Sequence, residues 1–228
     1  MVERDKQTMV EIIATTRGTE SEFEDTPLGM SLKRLSQDRC LRSRIKFNNS
    51  MGLAEVYNER IRADSDCDIL VFLHDDVWID DYFLANRVAD GLNRFDVIGI
   101  AGNRRLAPSH EGWAFVNGDW DRQHLSGAVA HGTEPCGAIT YYGDSPAECE
   151  LLDGVFLAVK RSVLRSRGVE FDSRFSFYLY DLDFCRTARK AGLTLGTWPI
   201  AITHQSGGAF GSPQWREALD LYKKKWAV

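Results

Sequence analysis

Residues 69–76 read Ile-Leu-Val-Phe-Leu-His-Asp-Asp, five consecutive apolar residues running straight into a histidine and two carboxylates. A short apolar run with β-branched and aromatic members, bounded by polar clusters, has the character of a strand buried on both faces of a mainly parallel sheet. Charged side chains do not fit inside such a strand, so His74, Asp75 and Asp76 fall at its carboxyl end. In an open α/β sheet that edge is where ligands bind. Two adjacent carboxylates repel each other, which raises a pKa or calls for a cation between them; hard divalent metals prefer oxygen ligands of this kind. The competing reading of the same residues is a solvated turn that caps the next helix.

The rest of the chain supplies strands and helices in alternation. Residues 10–18 predict a first strand ending in Thr15, Thr16, Arg17 and Gly18, a hydroxyl-rich turn suited to approaching a phosphate or a sugar. Residues 19–27 are acidic and turn-like, a helix is expected near 28–35, and residues 44–47 form a short alternating strand. Apolar residues at 53, 56, 57 and 61 have helical spacing. Asp80 or Asp81 then caps a helix whose apolar face includes Phe83, Leu84, Val88 and Leu92, and residues 97–102 form another buried strand. Strands and helices alternating at these lengths predict βαβ units with right-handed crossovers.

Residues 103–150 break the pattern, being rich in Gly, Trp, His and Tyr without sustained periodicity, and read as a strand-rich insertion that contacts substrate. An Asp153-Gly154 pair sits in an apolar stretch that continues as a strand, where a plain hairpin turn is the alternative. A helix begins at Asp181 and Asp183, positions that simple capping also explains, and stops at Gly192. A last strand region ends in His204, the flexible Gly-rich run 205–212 is placed to close over a site, and a final helix starts at Pro213.

Composition excludes several function classes. Apolar residues make up 43% and charged residues 27% of the 228, which fits one soluble α/β domain. The net charge of −5, with scattered Lys and Arg, excludes a nucleic-acid stripe. The run 223–225 of three lysines beside Trp226 reads as a solvated helix end or as contact with an anionic membrane surface. Five widely spaced cysteines form no metal-type pair and read as reduced thiols. No apolar run approaches the roughly 20 residues that span a bilayer. The expected location is the cytoplasm, with the inner face of the membrane as a place of contact.

Four separate elements thus end in polar residues of compatible chemistry: Thr15 and Arg17, His74 to Asp76, Asp181 with Asp183, and His204. Their order resembles the family 2 glycosyltransferases of the GT-A fold, within the short bacterial-type glycosyltransferase-like domains. The resemblance covers roughly residues 10–210 and is most specific in four linked stretches. These are Leu-Asp-Gly-Val-Phe-Leu-Ala-Val-Lys-Arg at 152–161, Phe171-Asp172 with Phe175, Tyr-Asp-Leu-Asp-Phe-Cys at 180–185, and His-Gln-Ser-Gly-Gly at 204–208. Residues 49–58 add the look of the family's Asn-x-x-Gly-Leu-Ala helix entry.

The resemblance implies a single α/β domain of the GT-A, Rossmann-like type over 1–228, with a mostly parallel central sheet flanked by helices. Its nucleotide and metal half would be about 1–102 and its acceptor and catalytic half about 103–228. It implies an inverting transfer of sugar from a nucleotide-sugar donor, UDP-type, to a glycan, lipid-linked or protein acceptor, as in polysaccharide biosynthesis. Asp76 and His204, with Asp75 beside them, would hold a divalent metal, Mn2+ or Mg2+; Asp181 would be the catalytic base. Thr15, Arg17, Asn49, His74 and Asp75 would line the donor side, and Asp153, Gly154, Tyr180 and Asp183 the sugar and acceptor pocket. Three departures stand out: His74 in the first position of the metal motif, Tyr180 where a glutamate usually precedes the base, and a second strand shortened or missing between 36 and 50. A non-catalytic sugar- or nucleotide-binding member acting in an assembly is the alternative they raise.

Overall fold

In the computed structural model of the chain, which describes residues 9–207 and 210–227, Ile69–Leu73 is a strand with every residue at most 2% exposed. Burying a side chain of this kind contributes roughly 1.5–3 kcal/mol, which is why an uninterrupted apolar run occupies the middle of the fold. It belongs to a seven-stranded sheet ordered Ala147–Cys149, Leu195–Thr197, Val97–Gly99, Phe156–Lys160, Ile69–Leu73, Val10–Thr15 and Leu41–Lys46. Only Phe156–Lys160 and Ala147–Cys149 run against the other strands. The expected mainly parallel sheet is therefore present, in a mixed α/β fold. Helices Pro27–Arg34, Leu53–Arg62, Leu84–Gly91, Arg161–Arg167, Tyr180–Lys190 and Pro213–Trp226 complete the main elements.

A second sheet orders Leu151–Leu152, Ala101–Asn103, Leu125–His131, Ile202–His204 and Val77–Ile79, with Ala138–Gly143 added on Leu125–His131. Six times the chain passes from one sheet to the other within a few residues. It does so at His74–Asp75–Asp76, at Ile100, between Gly143 and Ala147, at Glu150, at Asp153–Gly154–Val155, and between Thr197 and Ile202. The run 97–102, expected as one strand, is thus two strands in different sheets. Corners of this kind free side chains from both ladders, and two of them carry the acidic residues singled out by the sequence.

Several expectations need correction. Leu41–Lys46 is a six-residue strand paired in parallel along the whole of Val10–Thr15, so the second strand is neither short nor missing. Residues 19–27 contain a helix, Glu20–Glu24, closed by a capping box in which Thr19 and Glu22 bond to each other's backbone N–H groups. Asp81, whose carboxylate accepts from the Phe83 N–H at 2.8 Å, precedes the helix Leu84–Gly91, but Phe83 is 68% exposed and leaves its apolar face. The run of lysines forms the last turn of Pro213–Trp226; Lys223 pairs with Glu111 and Lys225 with Asp172 and Asp183, which fits the helix-end reading. The five cysteines form no disulfide with one another, and among the described residues no helix is long and apolar enough to cross a membrane.

Below the sheet, on the side away from the corners, Glu11 is buried and accepts from Arg60 and Arg161, each at 2.9 Å. Arg161 also donates to the backbone carbonyls of Arg60, Ala63 and Cys67. A buried carboxylate satisfied on both oxygens ties Val10–Thr15 to Leu53–Arg62 and Arg161–Arg167, and loses several kcal/mol if one partner is removed.

Candidate active site

His74, Asp76 and His204 converge where the two sheets meet. Their ligand atoms lie within 4.8 Å of one another. Nε2 of His204 is 3.3 Å from Oδ2 of Asp76, and Nδ1 of His74 is 4.0 Å from Oδ1. That second gap is too long for a hydrogen bond, and Oδ1 of Asp76 is buried without a hydrogen-bond partner among the described residues. A buried carboxylate oxygen with no hydrogen-bond partner, beside an imidazole nitrogen that is too far away to bond it, makes a donor pair that a cation would satisfy. The residues therefore fit a bound cation. Burial alone would raise the Asp76 pKa, but hydrogen bonds from His204 and Ser206 and the charges of both histidines hold it well below the usual carboxylate range. Burial, aided by His204 and opposed by Asp76, pushes His74 down to about 4, so its ring is neutral and able to ligate at pH 7.

The corner Asp153–Gly154–Val155 meets the start of helix Tyr180–Lys190. Gly154 donates its N–H to Oδ2 of Asp181 at 3.0 Å, and its carbonyl accepts from the Tyr180 hydroxyl at 2.8 Å. The same hydroxyl lies 2.9 Å from Nε2 of His74. A Cβ on residue 154 would sit 2.5 Å from the Tyr180 hydroxyl and 2.8 Å from Cβ of Asp181, so only glycine allows the helix start to come this close. Leu179, the N-cap of helix Tyr180–Lys190, has φ +61°, an unfavourable conformation for a branched side chain and of the kind kept where a site demands it. Burial first, and then the negative charge of Asp153, push the Asp181 carboxyl up to about 7. Asp153 is itself raised by burial, against a Val155 N–H bond at 3.1 Å, the nearby His204 and His131, and a hydrogen bond from Trp113.

A cavity of about 450 Å³ opens over this corner, lined by His74, His131, Asp153, Gly154, Tyr180, Asp181 and His204. The aromatic residues Trp113, Phe115, Trp120, Tyr142, Phe210 and Trp215 line it as well. Trp120 stacks on Tyr142 with ring planes 14° apart, and Phe115 packs edge-on against Phe210. The region 103–150 thus contributes Trp113, Trp120, His131 and Tyr142, none of which the sequence singled out by role. His131 is placed there by its register with His204, and only the aromatic richness of the segment hinted at the rest. Of the run 205–212, Ser206, Gly207 and Phe210 line the cavity; residues 208 and 209 lie outside the described residues.

Other expected site residues are placed differently. Asp75 is not in the cation cluster; its carboxylate hydrogen-bonds Thr16, and burial raises its pKa. Asp183 is wholly buried, accepts from Lys225 at 2.8 Å and from the Trp226 indole at 2.9 Å, and does not line the cavity. Thr15 keeps a buried, unpartnered hydroxyl at the end of the first strand, and Arg17 is exposed beyond it. Both polar atoms of the Asn49 side chain are engaged by the backbone of Met51, which makes it a turn residue.

The sequence profile of the glycosyltransferase-like family matches residues 37–207. A comparison with curated protein sequences finds no match. Among solved structures, the catalytic domain of Drosophila β1,4-galactosyltransferase 7, in complex with xylobiose, is similar with a TM-score of 0.53 at 15% identity, over 93% of this chain and 79% of that one. S. aureus TarS has a TM-score of 0.50 at 13% identity, over 93% of this chain and 38% of that one. A197 from STIV has a TM-score of 0.47 at 15% identity, over 84% and 82%. With three-quarters of its length inside the family profile, the chain belongs to the glycosyltransferase-like family, and its likeness to the galactosyltransferase domain and TarS gives it the GT-A fold.

Proposed function

We propose that the chain moves a sugar from a nucleotide-sugar donor of the UDP type to a hydroxyl of a glycan acceptor, with inversion at the anomeric carbon and with a divalent cation bound. The observation that carries this reading is the position of Asp181. A carboxylate with a pKa of about 7 opens on an aromatic-walled cavity whose wall also contains two members of the cation cluster.

His74, Asp76 and His204 would hold the cation, which when bound neutralises charge on the departing diphosphate. Two imidazoles and one carboxylate suit Mn2+ better than Mg2+, which prefers all-oxygen sites. The donor would lie along the carboxyl ends of Val10–Thr15 and Ile69–Leu73, where the unpartnered Thr15 hydroxyl and exposed Arg17 are free to meet phosphate or ribose. Asp181 takes the proton of the acceptor hydroxyl as that oxygen bonds to the anomeric carbon and the bond from carbon to phosphate oxygen breaks. One displacement of this kind inverts the configuration, and base catalysis is typically worth about 10²–10⁴-fold. The Gly154 N–H fixes the carboxylate, and the aromatic wall stacks on sugar faces and keeps water out.

Incubation with a panel of nucleotide sugars, Mn2+ and mixed oligosaccharides should release free nucleotide, and NMR of the product should show the opposite anomeric configuration. Retained configuration, or release unaffected by a chelator, would overturn the reading.

A further inference from the structure

Two residues that depart from the pattern the sequence resembles, His74 and Tyr180, are hydrogen-bonded to each other. The Tyr180 oxygen lies 2.9 Å from Nε2 of His74 and 2.8 Å from the carbonyl oxygen of Gly154. A phenol has one proton to give, and a carbonyl can only accept. The Tyr180 proton therefore lies on the bond to Gly154, and the phenol oxygen faces His74 as an acceptor. Nε2 of His74 must then carry the ring proton. A neutral imidazole has only one N–H, so Nδ1 is left with its lone pair, and Nδ1 is the atom facing the orphaned Oδ1 of Asp76 across 4.0 Å. The other tautomer would aim a hydrogen into the cluster and exclude a cation from it.

We propose that Tyr180 is a positioning residue that locks His74 in the Nε2–H tautomer and thereby makes Nδ1 its cation-ligating atom. The inference rests on the reading of the cluster as a cation site. The same hydroxyl ends on the residue whose N–H holds Asp181, so one relay, His74–Tyr180–Gly154–Asp181, joins the cation cluster to the base. Ligating histidines commonly direct their second nitrogen at a fixed acceptor, and losing that acceptor typically costs about 10–100-fold in metal affinity.

The test uses the full chain. In metal-free protein labelled with ¹⁵N-histidine, long-range ¹H–¹⁵N spectra should show Nδ1 of His74 unprotonated, the signal being identified by its absence from His74→Asp. Tyr180→Phe should abolish that tautomer preference and lower Mn2+ affinity by about 10–100-fold in calorimetry. In the His74→Asp background, where the ligand has no tautomer, adding Tyr180→Phe should change Mn2+ affinity by no more than about twofold. Tyr180 also packs against Tyr57 and Phe171, and a purely structural role would weaken Mn2+ binding equally in both backgrounds. That equality, or a protonated Nδ1 in the parent chain, overturns the proposal. A parent chain that binds no Mn2+ removes the cation reading alone; the tautomer spectrum then decides the role of Tyr180 by itself.

Discussion

Nε2 of His204 reaches Oδ2 of Asp76, at 3.3 Å, because His204 and Val77 are partners across the antiparallel ladder of Ile202–His204 and Val77–Ile79. The ladder continues one step further in the bond from Gln205 N–H to the Asp76 carbonyl at 3.0 Å. The cluster is therefore built on paired backbone, which favours a preformed site over one assembled by the cation. Asp76→Asn and His204→Ala should each weaken Mn2+ binding by at least the 10–100-fold or so that a mere supporting residue costs. Calorimetry on the two variants, with melting curves to show that both remain folded, checks this. Unchanged affinity in either would remove that residue from the cluster.

Asp181 links activity to pH. If it is the base, transfer should rise as pH passes through about 7 and fall roughly tenfold per unit below it. Asp181→Asn should lose about 10²–10⁴-fold in transfer while keeping donor and Mn2+ affinity. The same carboxyl affects stability with the opposite sense. Its pKa rises from the ordinary 3.8 to about 7 on folding, so between those values the folded chain holds a proton that the unfolded chain has released. Stability therefore falls as pH rises from about 4 to 7, and Asn, with no proton to lose, escapes the fall. At pH 8 the variant should be more stable than the parent by about 1–4 kcal/mol, and the difference should vanish near pH 4. Thermal melts across that range decide it.

Gly154→Ala tests how tightly the helix start is held against the corner. The added methyl would meet Tyr180 and Asp181 at 2.5 and 2.8 Å, and overpacking of that kind costs about 1–3 kcal/mol. Asp181 would be displaced with it, and displacement of a reacting group by about 1 Å is worth roughly 10² in rate. A variant with parent-like melting and transfer would show that the corner yields freely.

How far the sequence could be read depends on which signal each residue left. The strand Ile69–Leu73 was legible because burial on both faces permits no polar residue, and the change to His-Asp-Asp marked where the sheet ends. Asp76 stood out at the end of that run and Asp181 and His204 in the linked motifs; the structure sets Asp76 beside His204, and His204 and Asp181 line one cavity. Asp75 and Asp183 were misplaced for geometric reasons that spacing already contains. Neighbouring residues at a strand end point to opposite sides, and Asp183 lies about 200° around the helix from Asp181. Leu41–Lys46 was underestimated because it is an edge strand whose exposed Arg and Ser residues show little apolar alternation. Thr-x-x-Glu at 19–22 was a readable helix start that acidity obscured. His131 left no local signal; its place comes only from register with His204.

Trp120 separates acceptor binding from chemistry. It lines the cavity, remains 43% exposed and stacks on Tyr142, yet touches neither Asp181 nor the cation cluster through any hydrogen bond. Stacking on a sugar ring should contribute about 1–1.5 kcal/mol. Trp120→Ala should therefore raise the acceptor KM about 5–10-fold with kcat little changed, and shift stability by no more than about 0.5 kcal/mol. Steady-state kinetics with the acceptor varied, beside a melting curve, provides the check; a fall in kcat alone would place the residue in the chemical step.

Asp183 should affect stability and leave donor binding alone. Its two oxygens hold Lys225 and the Trp226 indole, and with Asp172 they fasten the end of Pro213–Trp226 to the helix that begins at Tyr180. Removing the carboxylate leaves a half-buried ammonium with Asp172 as its remaining partner and an indole N–H with none. Asp183→Ala should therefore cost about 3–5 kcal/mol, a fall in Tm on the order of 10 °C for a chain of this size. Lys225→Met on the parent should cost a comparable amount by stranding the buried Asp183. Combined, the two substitutions should cost less than the sum of the single losses, because the buried carboxylate that Lys225→Met alone strands is absent from the double variant. Donor and Mn2+ affinities of Asp183→Ala, measured well below its Tm, should match the parent; a loss there would return Asp183 to the substrate pocket.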